Sequence, residues 1–231
     1  MPESACLSDQ LVSENMSEQV SEPLLRVENL FCERDERVLF DELGFTLSAG
    51  QILQVEGQNG SGKTTLLRIL CGLSRHYEGE IVWRGEPVSQ QRERYHRELV
   101  YLGHQPGVKA VLTAEENLRW YAALDGSIDD SVISYALMQV GLEGFEDVPC
   151  HMLSAGQNRR VGLARLYLSQ APLWILDEPF TAIDKKGVAA QEALLVEHAE
   201  RGGCVILTTH QELQLTDYLS HINLDRQVGT S

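Results

Sequence analysis

The chain has 231 residues, of which 43% are hydrophobic and 23% charged, the ordinary composition of a globular domain with its own core. Thirty-four acidic residues against nineteen lysines and arginines give a net charge of −15, which argues against electrostatic binding to nucleic acid or to an anionic bilayer. No apolar run approaches the roughly 18 residues that cross a membrane, no secretory signal is visible, and the five cysteines show no paired spacing, so we expect a soluble protein of a reducing compartment.

The first 22 residues differ from the rest of the chain. They contain five Asp or Glu and no Lys or Arg, and low hydrophobicity with charge of one sign is typical of disorder. We therefore expect residues 1–22 to be an acidic tail without fixed structure and residues 23–231 to form a single domain. Met16 is an alternative start, and the sequence does not decide between it and Met1.

After the tail, strand-like and helix-like segments alternate. The predicted strands lie at 24–30, 37–47, 51–57, 80–85, 98–104, 172–179 and 203–210, the first two as an antiparallel pair. The predicted helices start near 63, 113, 131, 155 and 184, and Thr113 with Glu116 forms a capping box for the second. This alternation is typical of an α/β fold with a mostly parallel central sheet. Helical segments between about 105 and 170 interrupt it and predict an inserted lobe.

A glycine-rich motif follows the strand at 51–57. The residues GQNGSGKT fit the pattern GxxxxGK[ST], in which successive backbone N–H groups and a helix N-terminus surround a phosphate. Lys63 is placed to reach the β- and γ-phosphates, and the Thr64 hydroxyl to bind Mg²⁺. The predicted nucleotide-binding residues here are Gly57, Gln58, Asn59, Gly60, Ser61, Gly62, Lys63, Thr64 and Thr65.

A second motif is the apolar run LWIL that ends in Asp177 and Glu178. A strand buried on both faces delivers these carboxylates to its C-terminal end, where ligands bind in open α/β sheets. We expect Asp177 to hold Mg²⁺ and Glu178 to orient or deprotonate the attacking water.

The segment LSAGQ opens a predicted helix at Ser154. A serine N-cap followed by small residues leaves N–H groups free to meet an anion, although most helices that start at serine bind no ligand. What favours binding is the order of the neighbouring elements: Gln105 after a strand, Asp184 shortly after the Asp-Glu pair, and His210 at the end of VILTTH.

In this order the motifs resemble those of the ATP-binding cassette (ABC) ATPases, over residues 24 to 224. GQNGSGKT resembles the Walker A loop, His104-Gln105-Pro106 the Q-loop, LSAGQ the signature motif, LWILDEP Walker B, TAID the D-loop and His210 the switch histidine. The resemblance implies a RecA-like P-loop NTPase core with an antiparallel β subdomain and an inserted α-helical subdomain at about 105–170.

The same resemblance implies an ATPase that uses ATP and Mg²⁺. Glu178, His210 and Lys63 would be catalytic, and Gln105 would join Thr64 and Asp177 at the metal. It also implies a head-to-tail homodimer with two ATP molecules at its interface. The second subunit would then supply the helix start with Ser154, Gly156 and Gln157. Asp184 is also expected to bind the nucleotide.

Two residues depart from the family pattern. Ala155 stands where glycine is commonest, and one methyl group is tolerable if the backbone there is not left-handed. Arg34 or a neighbour stands where an aromatic residue usually stacks on adenine. A guanidinium plane can stack on a base, but an exposed arginine without a role fits the sequence equally well.

The class of cassette follows from what is absent. Between Gln105 and Ser154 there are no heptads and no CxxC, which argues against a DNA-repair or chromosome-organising ATPase, and a single cassette argues against a translation factor. A motor with a separate membrane partner remains.

Residues 102–124 and 83–87 resemble the ATP-binding subunits of cytochrome c biogenesis. That resemblance implies an integral membrane permease as partner and a peripheral place on the cytoplasmic face of the bacterial inner membrane. ATP hydrolysis would power haem export or release of a haem-loaded chaperone. No CxxCH is present, so any relation to haem or its chaperone is expected to be indirect. Another small ABC exporter and a soluble non-transport ABC ATPase stay open as alternatives.

Overall fold

The computed structural model describes residues 22–126, 129–215 and 217–226. The strands in these ranges are β1 (Leu25–Arg34), β2 (Arg37–Leu47), β3 (Ile52–Glu56), β4 (Glu78–Trp83), β5 (Glu86–Pro87), β6 (Leu99–Leu102), β7 (Leu173–Asp177), β8 (Cys204–Thr208) and β9 (Leu219–Asn223). The α-helices are α1 (Lys63–Leu70), α2 (Arg92–Arg97), α3 (Ala114–Asp125), α4 (Asp130–Gln139), α5 (Ala155–Ala164) and α6 (Lys185–Glu200). The predicted acidic tail lies outside the described residues, apart from Glu22.

An antiparallel sheet is built from strands in the order β2-β1-β4-β5. β1 and β2 pair from Leu25 opposite Leu47 to Arg34 opposite Arg37, as predicted. Asp35 and Glu36 form the turn between them with φ of 52° and 60°, the left-handed geometry that matches the twist of a two-residue hairpin. This turn sets the two arginines that flank it, Arg34 and Arg37, at one end of the sheet.

The second sheet is parallel, with the strand order β6-β7-β8-β3-β9, and confirms the predicted central sheet. All five residues of β7 and of β8 are buried, because these strands have apolar layers on both faces. The edge strand β9 was not predicted, since its residues alternate weakly and Ser220 and His221 are exposed. It pairs with β3 so that Asn223 lies beside Glu56, next to the glycine-rich motif.

Two hydrophobic cores lie on opposite faces of the parallel sheet. Leu173 and Ile175 of β7 face the core formed with α1 and the antiparallel sheet. Trp174 and Leu176 face the core formed with α6 and the helical lobe. The strand period of two residues thus holds the two subdomains on either side of one sheet.

The helical lobe consists of α3, α4 and α5. Thr113 caps α3 as predicted: its hydroxyl accepts from Glu116 N at 3.1 Å, and the Glu116 carboxylate accepts from Thr113 N at 2.8 Å. The helix predicted to start near residue 155 is α5, which ends at Ala164 and passes into a 3₁₀ turn at Arg165–Tyr167. Among the described helices, none is both long and apolar enough to span a bilayer.

Candidate nucleotide-binding site

The glycine-rich motif forms a loop between β3 and α1. Gly57, Gly60 and Gly62 have φ of 144°, 86° and 101°, values that side chains rarely adopt. A Cβ at Gly57 would lie 2.4 Å from the Ser61 hydroxyl oxygen, so the tight loop also requires the absence of a side chain there. Helix α1 begins directly after Gly62, and its free N–H groups point from the helix N-terminus into the loop.

Two polar groups of this loop are suited to phosphate. The Lys63 ammonium donates to the carbonyl oxygens of Gly57 at 2.6 Å and Gln58 at 3.1 Å, which holds it across the loop. The Ser61 hydroxyl is buried and has no hydrogen-bond partner among the described residues. A buried hydroxyl without a partner is costly, and an anion in the loop would supply the missing acceptor.

The Asp177 carboxylate is buried beneath the loop and accepts two hydrogen bonds. Its Oδ1 accepts from the Thr208 hydroxyl at 2.8 Å and its Oδ2 from the Thr64 hydroxyl at 3.0 Å. Two of the three residues predicted to hold Mg²⁺, Thr64 and Asp177, are therefore in contact, whereas the third is Gln105. Hydroxyl and carboxylate oxygens are ligands that Mg²⁺ prefers, and one or two protein ligands with phosphate and water are its usual shell.

Glu178 follows in a strained conformation with φ of 52°. Its N–H donates to the Thr208 hydroxyl at 2.9 Å, which turns the side chain away from the strand and toward the cavity. The His210 Nε2 atom lies 3.6 Å from Glu178 Oε1. The predicted base and the predicted switch histidine therefore meet beside the glycine-rich loop of residues 57–62, called the phosphate loop below.

Arg159 was not singled out by sequence reasoning, yet it ties the site together. Its buried guanidinium donates to the carbonyl oxygens of Gly103 (2.6 Å), Asp177 (2.7 Å) and Glu178 (2.8 Å). Burial lowers the pKa of Arg159, and the Asp177 and Glu178 charges oppose that shift. Because Arg159 belongs to the helix that starts after Ser154, this residue connects α5 to the ends of β6 and β7.

A cavity of about 740 Å³ brings most of the predicted residues together. The predicted residues on its walls are Asn59, Gly60, Gly62, Lys63, Thr64, Thr65, Asp177, Glu178 and His210. Gln105 does not line this cavity, and its neighbour His104 does. Gln105 is exposed at the start of the loop after β6.

The residues that begin at Ser154 also lie outside this cavity. The Ser154 hydroxyl accepts from Gln157 N at 3.2 Å, and the Gln157 side chain accepts from Ser154 N at 2.9 Å, a complete capping box. Asp184 caps α6 by accepting from Gly187 N at 2.8 Å. Ala155 is the first residue of α5 and is not left-handed, so the structure meets the condition for tolerating its methyl group.

The β1–β2 hairpin forms the outer wall. Arg34, Asp35 and Arg37 line the cavity there, and within the described ranges no phenylalanine, tyrosine or tryptophan does. A Cβ at Gly60 would lie 3.8 Å from the Arg37 guanidinium, which places that cation over the phosphate loop.

Comparisons with known proteins agree with this geometry. The family model described as "ABC transporter" matches residues 40–181. The cytochrome c biogenesis ATP-binding export protein CcmA of Colwellia psychrerythraea is 58% identical over 198 residues, covering 86% of this chain and 90% of that protein. The CcmA protein of Vibrio cholerae is 57% identical over 191 residues, covering 82% and 92%.

Solved structures give the same fold. The ATP-binding subunit of an ABC transporter superimposes with a TM-score of 0.76 at 25% identity, covering 87% of this chain and 86% of that chain. The ATP-binding cassette MJ0796, a dimer in a post-hydrolysis state bound to ADP and Pi, superimposes with a TM-score of 0.73 at 21% identity, covering 87% and 94%.

Proposed function

The chain belongs to the ABC transporter family of ATP-binding subunits, and from that premise we propose that it hydrolyses ATP to drive a membrane complex in cytochrome c biogenesis. The observation that carries the proposal is the convergence of Lys63, Thr64, Asp177, Glu178 and His210 on one cavity, in a chain more than half identical to CcmA proteins. The resemblance stated from the motifs is thereby confirmed at the level of the family.

The phosphate chain of ATP would occupy the loop between β3 and α1. Lys63 would keep its contact with the Gly57 carbonyl oxygen and turn its other N–H donors to the β- and γ-phosphates. The Ser61 hydroxyl and the N–H groups at the start of α1 donate to phosphate oxygens. Thr64 and Asp177 would hold Mg²⁺, which when bound neutralises negative charge on the phosphates.

Hydrolysis requires a water molecule in line with the bond between the γ-phosphorus and the leaving ADP oxygen. Glu178 accepts a proton from that water as its oxygen bonds to phosphorus and the bond to ADP breaks. His210, 3.6 Å from the carboxylate, orients Glu178 and the γ-phosphate. The carbonyl contacts of Arg159 fix the backbone that carries both acidic residues.

A second copy of the chain would close the site. Ser154, Gly156, Gln157 and Asp184 do not line the cavity of their own subunit. The Ser154 hydroxyl caps Gln157 N, which leaves the N–H groups of Ala155 and Gly156 in the first turn of α5 to meet an anion. The MJ0796 cassette, which has this fold, is dimeric, and that supports a dimer of this chain. The head-to-tail arrangement is what the resemblance to ABC ATPases implies. We propose that each ATP lies between one subunit's phosphate loop and its partner's α5.

The membrane partner would bind the helical lobe beside the loop that starts at Gln105. Val111 is 81% exposed and Leu124 is 66% exposed on this lobe. Val108 of the same loop is partly buried against the core and is unsuitable as a contact. Binding of a permease here would place the chain peripherally on the cytoplasmic face of the bacterial inner membrane. Haem or its chaperone would meet the permease rather than this chain.

Co-purification from membranes tests this proposal. A Val111→Asp, Leu124→Asp variant should keep ATPase activity, lose membrane association and fail to support cytochrome c maturation. Leu73→Asp is the matched control, since Leu73 is 56% exposed but follows α1 on the opposite subdomain. Membrane association with normal cytochrome c in a deletion strain would favour another exporter. A wild-type protein that never fractionates with membranes would favour a soluble ATPase.

A further inference from the structure

We propose that Asp225, near the end of the described chain, is a positioning residue for Lys63 and acts through a single peptide group of the phosphate loop. The Asp225 carboxylate accepts from Gln58 N, at 3.0 Å from one oxygen and 3.2 Å from the other. The carbonyl of the same peptide group, that of Gly57, accepts from the Lys63 ammonium at 2.6 Å. No motif identified from the sequence includes Asp225.

The geometry of a peptide group makes this contact consequential. In a trans peptide the N–H and the C=O point in opposite directions, so a carboxylate on one side and an ammonium on the other hold the plane at a fixed angle. Both partners are charged and polarise the same group in the same sense, which strengthens both hydrogen bonds. Gly57 has φ of 144° and no side chain, so without these two contacts the peptide plane that follows it would be free to rotate.

Asp225 is itself held in place by the edge strand. β9 pairs with β3 up to Asn223 beside Glu56, so the chain leaves the sheet next to the phosphate loop. The Asn223 side chain accepts from Asp225 N at 2.9 Å, and the intervening Leu224 is fully buried. This turn aims the carboxylate at the loop rather than into solvent.

The consequence concerns nucleotide affinity. With the peptide plane fixed, the loop is already shaped for phosphate and Lys63 stays across it, so ATP does not have to order the loop as it binds. Asp225 does not line the cavity of Glu178 and His210, and its removal should leave the chemical step almost unchanged. The inference rests on the proposed ATPase activity and deepens it.

The test compares steady-state kinetics of purified full-length variants. Asp225→Ala should raise the KM for ATP about fivefold and leave kcat within twofold, while Asp225→Asn, which keeps an acceptor, should recover most of the loss. His221→Ala is the matched control, because His221 lies on β9, the strand that leads to Asp225, and its hydrogen bond goes to Glu56 at 2.9 Å rather than to the peptide group of Gln58. Its KM should stay within twofold of wild type.

Three outcomes would overturn the inference, and the first two concern KM: a KM for Asp225→Ala within twofold of wild type, or an equal rise in KM for His221→Ala. A loss of kcat at constant KM would also overturn it. Thermal unfolding of each variant shows whether the fold is intact, and Asp225→Asn supplies the comparison if Asp225→Ala is unstable. Absence of turnover in the wild type would count against the proposed function alone. The inference would then be tested by the equilibrium dissociation constants of ATP, whose ratios between each variant and the wild type replace the ratios of KM.

Discussion

The nucleotide-binding site has two sides, the phosphate loop and the helix start at Ser154, and one chain assembles only the first of them. On the first side, Lys63 at the start of α1 and Asp177 at the end of β7 converge on a shared cavity. On the second, the polar groups of Ser154 and Gln157 satisfy each other, and the helix start faces outward. The side chains of the first motif meet within one chain and can bind the nucleotide there. The second motif has its polar side chains hydrogen-bonded to each other and its helix start exposed, which suits contact with a second subunit. Substitutions on the two sides should therefore have different effects.

The largest effect is expected at Glu178, on the completed side. Glu178→Gln should reduce kcat for ATP about 100- to 1,000-fold, because the amide cannot accept the proton of the attacking water. ATP binding should persist, since Lys63, Thr64 and Asp177 are untouched. The variant should accumulate as an ATP-bound dimer by size exclusion, where the wild type elutes as a monomer. Normal turnover would contradict the role of Glu178.

Substitution of Ser154 probes the outward-facing side. Ser154→Arg should leave ATP binding by the isolated subunit unchanged and lower turnover at least about tenfold, because the side chain blocks the surface that meets the partner's nucleotide. Ser134→Arg, at an exposed serine of α4, is the matched control and should turn over normally.

Mixing the Ser154→Arg subunit with Lys63→Ala then tests the composite site. The first variant keeps its phosphate loop and the second keeps its α5 start, so a mixed dimer contains one intact site. Activity above that of either variant alone is expected at intermediate ratios. Its absence at every ratio would favour a site completed within one chain.

Arg159 connects the two sides, and its loss should cost stability. Arg159→Met leaves the carbonyl oxygens of Gly103, Asp177 and Glu178 without their buried donor, which should lower the free energy of unfolding by about 2 to 3 kcal/mol. Urea unfolding measures this change. Arg160→Met is the control, because its half-buried guanidinium donates only to the carbonyls of Val140 and Gly141. An equal decrease in the free energy of unfolding for both variants would show that Arg159 does not connect the two sides.

Local chemistry decided which parts of this site the sequence could predict. The glycines, Lys63, Thr64 and the Asp177–Glu178 pair lie within short motifs whose geometry is set by their own backbone. Arg159 and Asp225 are separated by 18 and 167 residues from the groups that they hold, so only the tertiary structure brings them into place. Gln105 does not line the cavity, although its neighbour His104 does. The local sequence does not set the direction of a side chain in a loop, so this difference could not be predicted.

The smallest predicted effect is at Thr208, which sequence reasoning also missed. Its buried hydroxyl donates to Asp177 at 2.8 Å and accepts from Glu178 N at 2.9 Å. Thr208→Val keeps the shape and removes both bonds. Glu178 N still reaches the Thr208 carbonyl at 3.2 Å, and Asp177 keeps Thr64. The free energy of unfolding should therefore fall by only about 1 kcal/mol.

Function should change through the freedom of Asp177. With one of its two donors gone, the carboxylate can rotate, and the Mg²⁺ concentration for half-maximal ATPase activity should rise about threefold while kcat at saturating Mg²⁺ changes less. Thr209→Val is the control, because that hydroxyl accepts only from Gln211 N and touches neither acidic residue. If both variants respond to Mg²⁺ like the wild type, the Thr208 hydroxyl is a packing feature of β8 and the phosphate-loop side depends on Thr64 alone to orient Asp177.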